Sequence, residues 1–176
     1  MARKLKNIEL NRFSFEEFKD APKKRVSVLL DNIRSMLNIG SVFRTSDAFA
    51  IEHIYLCGIT AKPPHREITK TAIGAEKSVD WTYAESVSEC IKSLKSRGHW
   101  IIGVEQMDNS IMLDQYTPPN DQPIVLIFGN EVSGLSDETV ELCDEFIEIP
   151  QYGTKHSLNI SVSAGVALWE IQKQLS

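Results

Sequence analysis

The feature that most constrains this chain is a recurrence of short, almost purely apolar runs, each separated from the next by polar breaks and helical patterns. "VSVLLD" (Val26–Asp31), "HIYLCG" (His53–Gly58), "WIIGV" (Trp100–Val104), "PIVLIFG" (Pro123–Gly129) and "FIEIP" (Phe146–Pro150) have the length and branched apolar content of strands covered on both faces. After the first run, Asn38 is expected to cap a helix carrying Val42, Phe43, Ala48 and Phe49. Glu85–Arg97 sets Val87, Cys90, Ile91 and Leu94 at helical spacing, and Asp137–Cys143 reads as a further helix. Alternation of this kind predicts an α/β fold, a mostly parallel sheet covered by helices, and 176 residues suffice for one such core. Two stretches break the pattern. Ile59–Val79 contains Pro63-Pro64, which blocks regular structure, and Met107–Gln122 reads as an exposed connection.

The C-terminal stretch "KHSLNISVSAGVALWEIQKQL" is harder to place. Ile160, Ala164, Ala167, Ile171 and Leu175 share one helical face, and Val162, Val166 and Trp169 occupy another. Burial on both sides is implied, and the small residues Ser161, Ser163, Ala164, Gly165 and Ala167 suit close packing against a second subunit. Ser157 or Asn159 caps this helix in the plainest reading, but one cap does not account for both residues.

Several chemistries are excluded by motif. No phosphate loop ending in GK[ST], no GxGxxG after the first strand, no HExxH and no GxSxG elbow occurs. His53, His65, His99 and His156 lack metal-ligand spacing, and Cys57, Cys90 and Cys143 form no pair, so neither a metal nor a disulfide scaffold is expected. No apolar run is long enough to span a membrane and no secretory signal opens the chain, which makes the cytoplasm the expected location.

The net charge of -5 argues against indiscriminate nucleic-acid binding. Its distribution is uneven: residues 1–25 carry eight basic and four acidic groups, +4, which leaves -9 for the rest. We divide the chain into this basic leader (1–25) and a domain over 26–176. Lys62, Arg66, Lys70 and Lys77 form a second basic island, and with Arg25 they are the candidate phosphate-binding residues should the partner be a nucleic acid.

Three stretches carry polar residues where ligands are usually bound. In "IFGNEVSGLS", Gly129 and Gly134 permit close approach, and Asn130 and Glu131 supply directed hydrogen bonds; Glu131 is expected to position Asn38 or Arg44, or to cap the next helix. In "NIGSVFRTSDAF", Arg44 shares a helical face with Gly40, near the core side, and its fork can take two oxygens of an anion. "IPQYGTKHSLNIS" follows a strand in the same way.

In order, these stretches resemble the signature motifs of the SpoU/TrmH family of RNA ribose 2'-O-methyltransferases, of the SPOUT superfamily. The matching residues are Asn38-Ile39-Gly40 with Phe43-Arg44-Thr45, Phe128-Gly129-Asn130-Glu131 with Gly134-Leu135, and Ile149-Pro150 with Ser157-Leu158-Asn159-Ile160-Ser161-Val162-Ser163 and Glu170. The resemblance implies a deep C-terminal trefoil knot, a homodimer with its active site at the subunit interface, and S-adenosylmethionine as methyl donor, without metal. It implies a cofactor set of Leu126, Ile127, Phe128, Gly129, Asn130, Ile149, Pro150, Gln151, Ser157 and Leu158, and a catalytic set of Asn38, Arg44, Glu131, Ser157 and Asn159. Glu170 is expected in an interhelical salt bridge. The substrate implied is RNA, with tRNA expected and ribosomal RNA, base methylation or a non-catalytic RNA-binding dimer as alternatives. The length leaves room for the catalytic domain and a short leader, so substrate choice is expected to rest on leader, island and dimer cleft. One departure is visible: the family often has glycine after the first-motif helix, where this chain has Ala50 and Ile51.

Overall fold

A computed structural model describes residues 2–175. Seven strands form one sheet, and every pairing is parallel: β1 (Lys24–Asp31), β2 (Ile51–Cys57), β3 (Trp81–Ala84), β4 (Trp100–Val104), β5 (Ile111–Met112), β6 (Ile124–Phe128) and β7 (Glu145–Glu148), in spatial order β3-β2-β1-β6-β4-β7-β5. The helices are α1 (Phe15–Asp20), α2 (Met36–Ala48), α3 (Arg66–Ala72), α4 (Ala75–Ser78), α5 (Val87–Ser96), α6 (Asp137–Leu142) and α7 (Ile160–Gln174).

The continuous apolar runs are explained by two-sided burial. On β6, Ile124, Leu126 and Phe128 face one core, with α2 and α7, whereas Val125 and Ile127 face the other, with α5. Alternation of side chains along a strand thus serves two cores with one run. On α2, Gly40 allows close approach to α3, since a Cβ there would lie 2.2 Å from the Ile68 carbonyl oxygen. No helix among the described residues is long and apolar enough to cross a membrane.

The regions expected to be irregular are partly ordered. Past a cis Pro63-Pro64 bond, His65 Nδ1 accepts from the Glu67 amide at 3.2 Å and starts α3. β3 and β5 are edge strands of four and two residues without an apolar run, so the sequence pattern passes over them. In the connection after β4, Leu113 and Tyr116 are buried, and the Tyr116 hydroxyl donates to Glu145 at 2.7 Å. The basic leader is not a free arm either. Ser14 and Glu17 form a reciprocal cap on α1, Phe18 enters the core, and Lys24 and Arg25 already belong to β1.

Candidate active site

The carboxyl ends of β6, β4 and β7 open into a cleft of about 730 Å³, the size of a small-molecule site. Its walls are the turn after β6, the end of β4 and the loop between β7 and α7. The turn is tight. Asn130 and Gly134 exchange backbone hydrogen bonds at 3.0 and 2.9 Å, and a Cβ on Gly129 would meet the Gly134 carbonyl carbon at 2.3 Å. The Asn130 side chain accepts from the Val132 and Ser133 amides and donates to the Asn32 carbonyl at 2.7 Å, which pins the turn to the end of β1.

The three polar stretches meet beside this cleft. Glu131 accepts from the Arg34 amide at 3.2 Å, the Ser35 amide at 3.1 Å and Asn38 Nδ2 at 3.3 Å. Asn38 Oδ1 in turn accepts from Asn159 Nδ2 at 3.2 Å, and Asn159 Oδ1 caps α7 through the Ser161 amide at 2.9 Å. Burial pushes the Glu131 carboxyl upward, but hydrogen bonds from its own amide, from Arg34, Ser35 and Asn38 outweigh it and hold it below the ordinary glutamate range. Its charge also lies next to the N-terminal end of α2, where the helix dipole favours an anion.

Three expectations need correction here. Asn38 does not cap α2: Ser35 does, accepting from the Asn38 amide at 3.3 Å, which leaves the Asn38 side chain free to bridge Glu131 and Asn159. Glu131 does not cap the helix after it, which Ser136 caps; it holds the Arg34 and Ser35 amides just before α2, and of its two expected partners it positions Asn38, not Arg44. Arg44 is exposed instead of lying near the core. Four residues advance a helix by about 40° beyond a full turn, enough to carry Arg44 past the α3 contact of Gly40.

Of the expected cofactor residues, Phe128, Gly129, Asn130, Ile149, Gln151, Ser157 and Leu158 line the cleft, as do Glu131 and Asn159. Leu126 and Ile127 do not, because their side chains fill the two cores, and Pro150 is also outside the lining. Arg44 lies outside it too. Glu170 bonds within its own helix, to Lys173 and Gln174, because partners three and four residues on are nearest. Lys62, Arg66, Lys70 and Lys77 are exposed, with Lys62 Nζ 4.3 Å from the centre of the Tyr83 ring. Arg25 lies at the amino end of β1, about 20 Å of strand away from the cleft end, and does not extend that basic surface.

The sequence reading missed the end of β4. Glu105 accepts from the Leu135 amide at 3.2 Å, and Gln106 Nε2 donates to the His156 carbonyl at 3.1 Å. Two consecutive residues therefore hold two walls of the cleft at once, the turn after β6 and the loop between β7 and α7. Their position directly after a central parallel strand was the available signal. Electrostatics complete the description: Glu105, Glu131, Asp137 and Glu148 line the cleft, and no Lys or Arg does among the described residues.

The model of the SpoU rRNA methylase family matches residues 25–169. The chain belongs to this family. Within the SpoU relatives it is 33% identical over 160 residues to a tRNA (guanosine(18)-2'-O)-methyltransferase of Aquifex aeolicus, covering 86% of this chain and 71% of that protein. It is 31% identical over 147 residues to the 23S rRNA (guanosine-2'-O-)-methyltransferase RlmB of Neisseria meningitidis, covering 84% of this chain and 58% of the relative. The crystal structure of the A. aeolicus TrmH/SpoU tRNA modifying enzyme superposes with a TM-score of 0.79 at 27% identity over 91% of this chain and 81% of that one. The SpoU methyltransferase AviRb of Streptomyces viridochromogenes, in complex with AdoMet, gives 0.78 at 25% identity over 89% of this chain and 62% of that one. The chain thus spans less than two thirds of RlmB and of AviRb.

Proposed function

We propose that this SpoU-family chain transfers a methyl group from S-adenosylmethionine to a ribose 2'-hydroxyl of RNA, with tRNA the preferred substrate and ribosomal RNA the alternative. The observation that carries the reading is the hydrogen-bonded chain Glu131–Asn38–Asn159, which draws the three family stretches together at the rim of a carboxylate-lined cleft. A cleft of this charge fits a ligand bearing a sulfonium and an ammonium group. Phe128, Gly129, Asn130, Ile149, Gln151, Ser157 and Leu158 would hold it, and when bound it supplies an electrophilic methyl. Glu131, Asn38 and Asn159 keep the β6 turn, the α2 N-terminus and the β7–α7 loop in one register, so that acceptor and methyl can lie in line.

Arg44 acts on the RNA. A guanidinium stays protonated near neutrality, so its role is to hold a substrate phosphate and stabilise the developing 2'-alkoxide, not to serve as the base. Because it lies outside its own chain's cleft, the same reading places it in the cleft of a second copy. Leu37 on α2 and Val162, Val166 and Trp169 on α7 are 39–61% exposed, and they supply the apolar face for such a homodimer. The trefoil knot of the family belongs to the same reading; the segment after β7 is held to the end of β4 by Gln106 and leads into α7, which packs on α2. No metal enters the proposed chemistry, and the cytoplasm is its setting.

The test is transfer from labelled S-adenosylmethionine to unmodified tRNA and to ribosomal RNA fragments, followed by nucleoside analysis. A 2'-O-methylnucleoside is expected; a base-methylated product, or none from either RNA, would refute the reading.

A further inference from the structure

A second hollow, of about 300 Å³, lies on the other side of the β6 turn from the cofactor cleft, and Asn130, Val132, Ser133 and Gly134 line both. Its remaining walls come from Asp31, Asn32, Arg34, Ile59 and Ser136. The hollow is built in advance by Asn32. Its Oδ1 accepts from the Ile59 amide at 3.0 Å, its Nδ2 donates to the buried Asp31 at 2.6 Å, and its carbonyl accepts from Asn130 Nδ2 at 2.7 Å. The loop after β2 and the turn after β6 are thereby fixed to the end of β1 without any ligand.

The lining differs from the cleft's: it has one arginine, Arg34, and one carboxylate, Asp31, which is buried and already accepts from Asn32 and Thr139. Val132 and Ile59 are 82% and 63% exposed, an uncommon display for two aliphatic side chains at one opening. Arg34 is exposed, and its guanidinium takes part in no hydrogen bond or ion pair among the described residues; only its amide is used, by Glu131. Two apolar surfaces beside an unpaired fork and the hydroxyls of Ser133 and Ser136 suit a ligand with one flat apolar face and one anionic end. The cofactor is ill-suited to this place, because the guanidinium would oppose its positive charge. Lys62, three residues beyond Ile59, continues the basic character along the same loop.

We propose that this hollow seats a phosphate-bearing nucleotide of the RNA, next to the one being methylated, with its base against Ile59 and Val132 and its phosphate on Arg34. The inference rests on the RNA reading above and adds to it a place for a neighbouring nucleotide. A shared wall, the 130–134 turn, would hold that nucleotide beside the cleft while the target ribose faces the methyl. Arg34 and Arg44 then have separate tasks, one on the flanking nucleotide and one at the reacting ribose.

The test uses the full chain saturated with S-adenosylhomocysteine, with the methyl groups of Ile59 and Val132 followed by NMR during titration with adenosine and guanosine 5'-monophosphates. Saturable shifts at both residues are expected, weakened about fivefold or more by Arg34→Ala, less by Arg34→Lys, and weaker for the unphosphorylated nucleosides. Arg34→Ala keeps the amide that Glu131 needs, so the shared site stays intact. No shift at these methyls, or shifts indifferent to Arg34, would overturn the proposal. A chain that methylates RNA yet shows no such shifts would remove the subsite alone; shifts in a chain that modifies no RNA would keep the subsite and remove the ribose-methylation reading.

Discussion

The cleft beside the β6 turn and the outer face of α2 and α7 are finished to different degrees. In the cleft every wall is tied down: Asn130 to β1, Glu131 to α2, Asn159 to Asn38, and the two loops to Glu105 and Gln106. On the helix face Arg44 has no partner among the described residues, and Leu37, Val162, Val166 and Trp169 stand open to solvent. One chain is therefore equipped to bind a small molecule, but the charge proposed to act on the ribose is left outside. The difference teaches that binding and turnover should respond to different mutations.

The sharpest separation is expected at Arg44. Arg44→Ala should lower kcat for RNA methylation by about 100-fold or more, with S-adenosylmethionine affinity by calorimetry unchanged, and Arg44→Lys should recover only part. Equal losses in both measurements would erase the distinction between the two regions. Next in size is Trp169→Asp, which puts a charge into the apolar face. Sedimentation should show monomers, cofactor binding should persist, and turnover should fall roughly in step with the lost dimer.

Gln106→Ala probes the finished side. Loss of its bond to the His156 carbonyl should raise KM for S-adenosylmethionine about fivefold while kcat at saturation and KM for RNA hold. A matching fall in kcat would show that the β4 end acts on more than the cofactor. At Glu131 the native carboxyl is held below its unfolded value. The stabilisation it gives is complete above the ordinary glutamate pKa of about 4.3 and lost as pH falls through the native value. Acid unfolding of Glu131→Gln should therefore be less steep across that window than that of the parent, a difference readable by circular dichroism. The smallest effect is expected at Ala50, which ends α2 with φ at +49°. Ala50→Gly relieves that left-handed strain but gains unfolded-chain entropy, for a net stabilisation below about 1 kcal/mol.

Ala50 also marks how far the sequence could be read. The missing family glycine was visible, but not that the turn keeps its left-handed geometry with alanine in place. Strands β1, β2, β4, β6 and β7 and helices α2, α5, α6 and α7 were legible because two-sided burial writes itself as continuous apolar runs and helical spacing. β3, β5, α3 and α4 were not: short edge strands and helices of seven and four residues bury too little to leave a period. Among site residues, Asn38, Glu131 and Asn159 were singled out through their motifs, although which atom bonds which was not. Glu105 and Gln106 escaped because they belong to no motif, and Leu126 and Ile127, which the resemblance implied, turn their side chains into the two cores. Arg44 was placed on the wrong side of its helix because position alone does not say how α2 rolls against α3.

The most direct test of the account mixes two inactive variants. Arg44→Ala lacks the charge and Asn159→Ala disturbs the cleft; after subunit exchange, half of the mixed dimers' sites combine an intact cleft with an intact Arg44 if the arginine works across the interface. The account predicts that methyl transfer to RNA reappears, up to about a quarter of the parent rate for random pairing. A mixture that exchanges subunits and stays silent, beside an active parent, would contradict it.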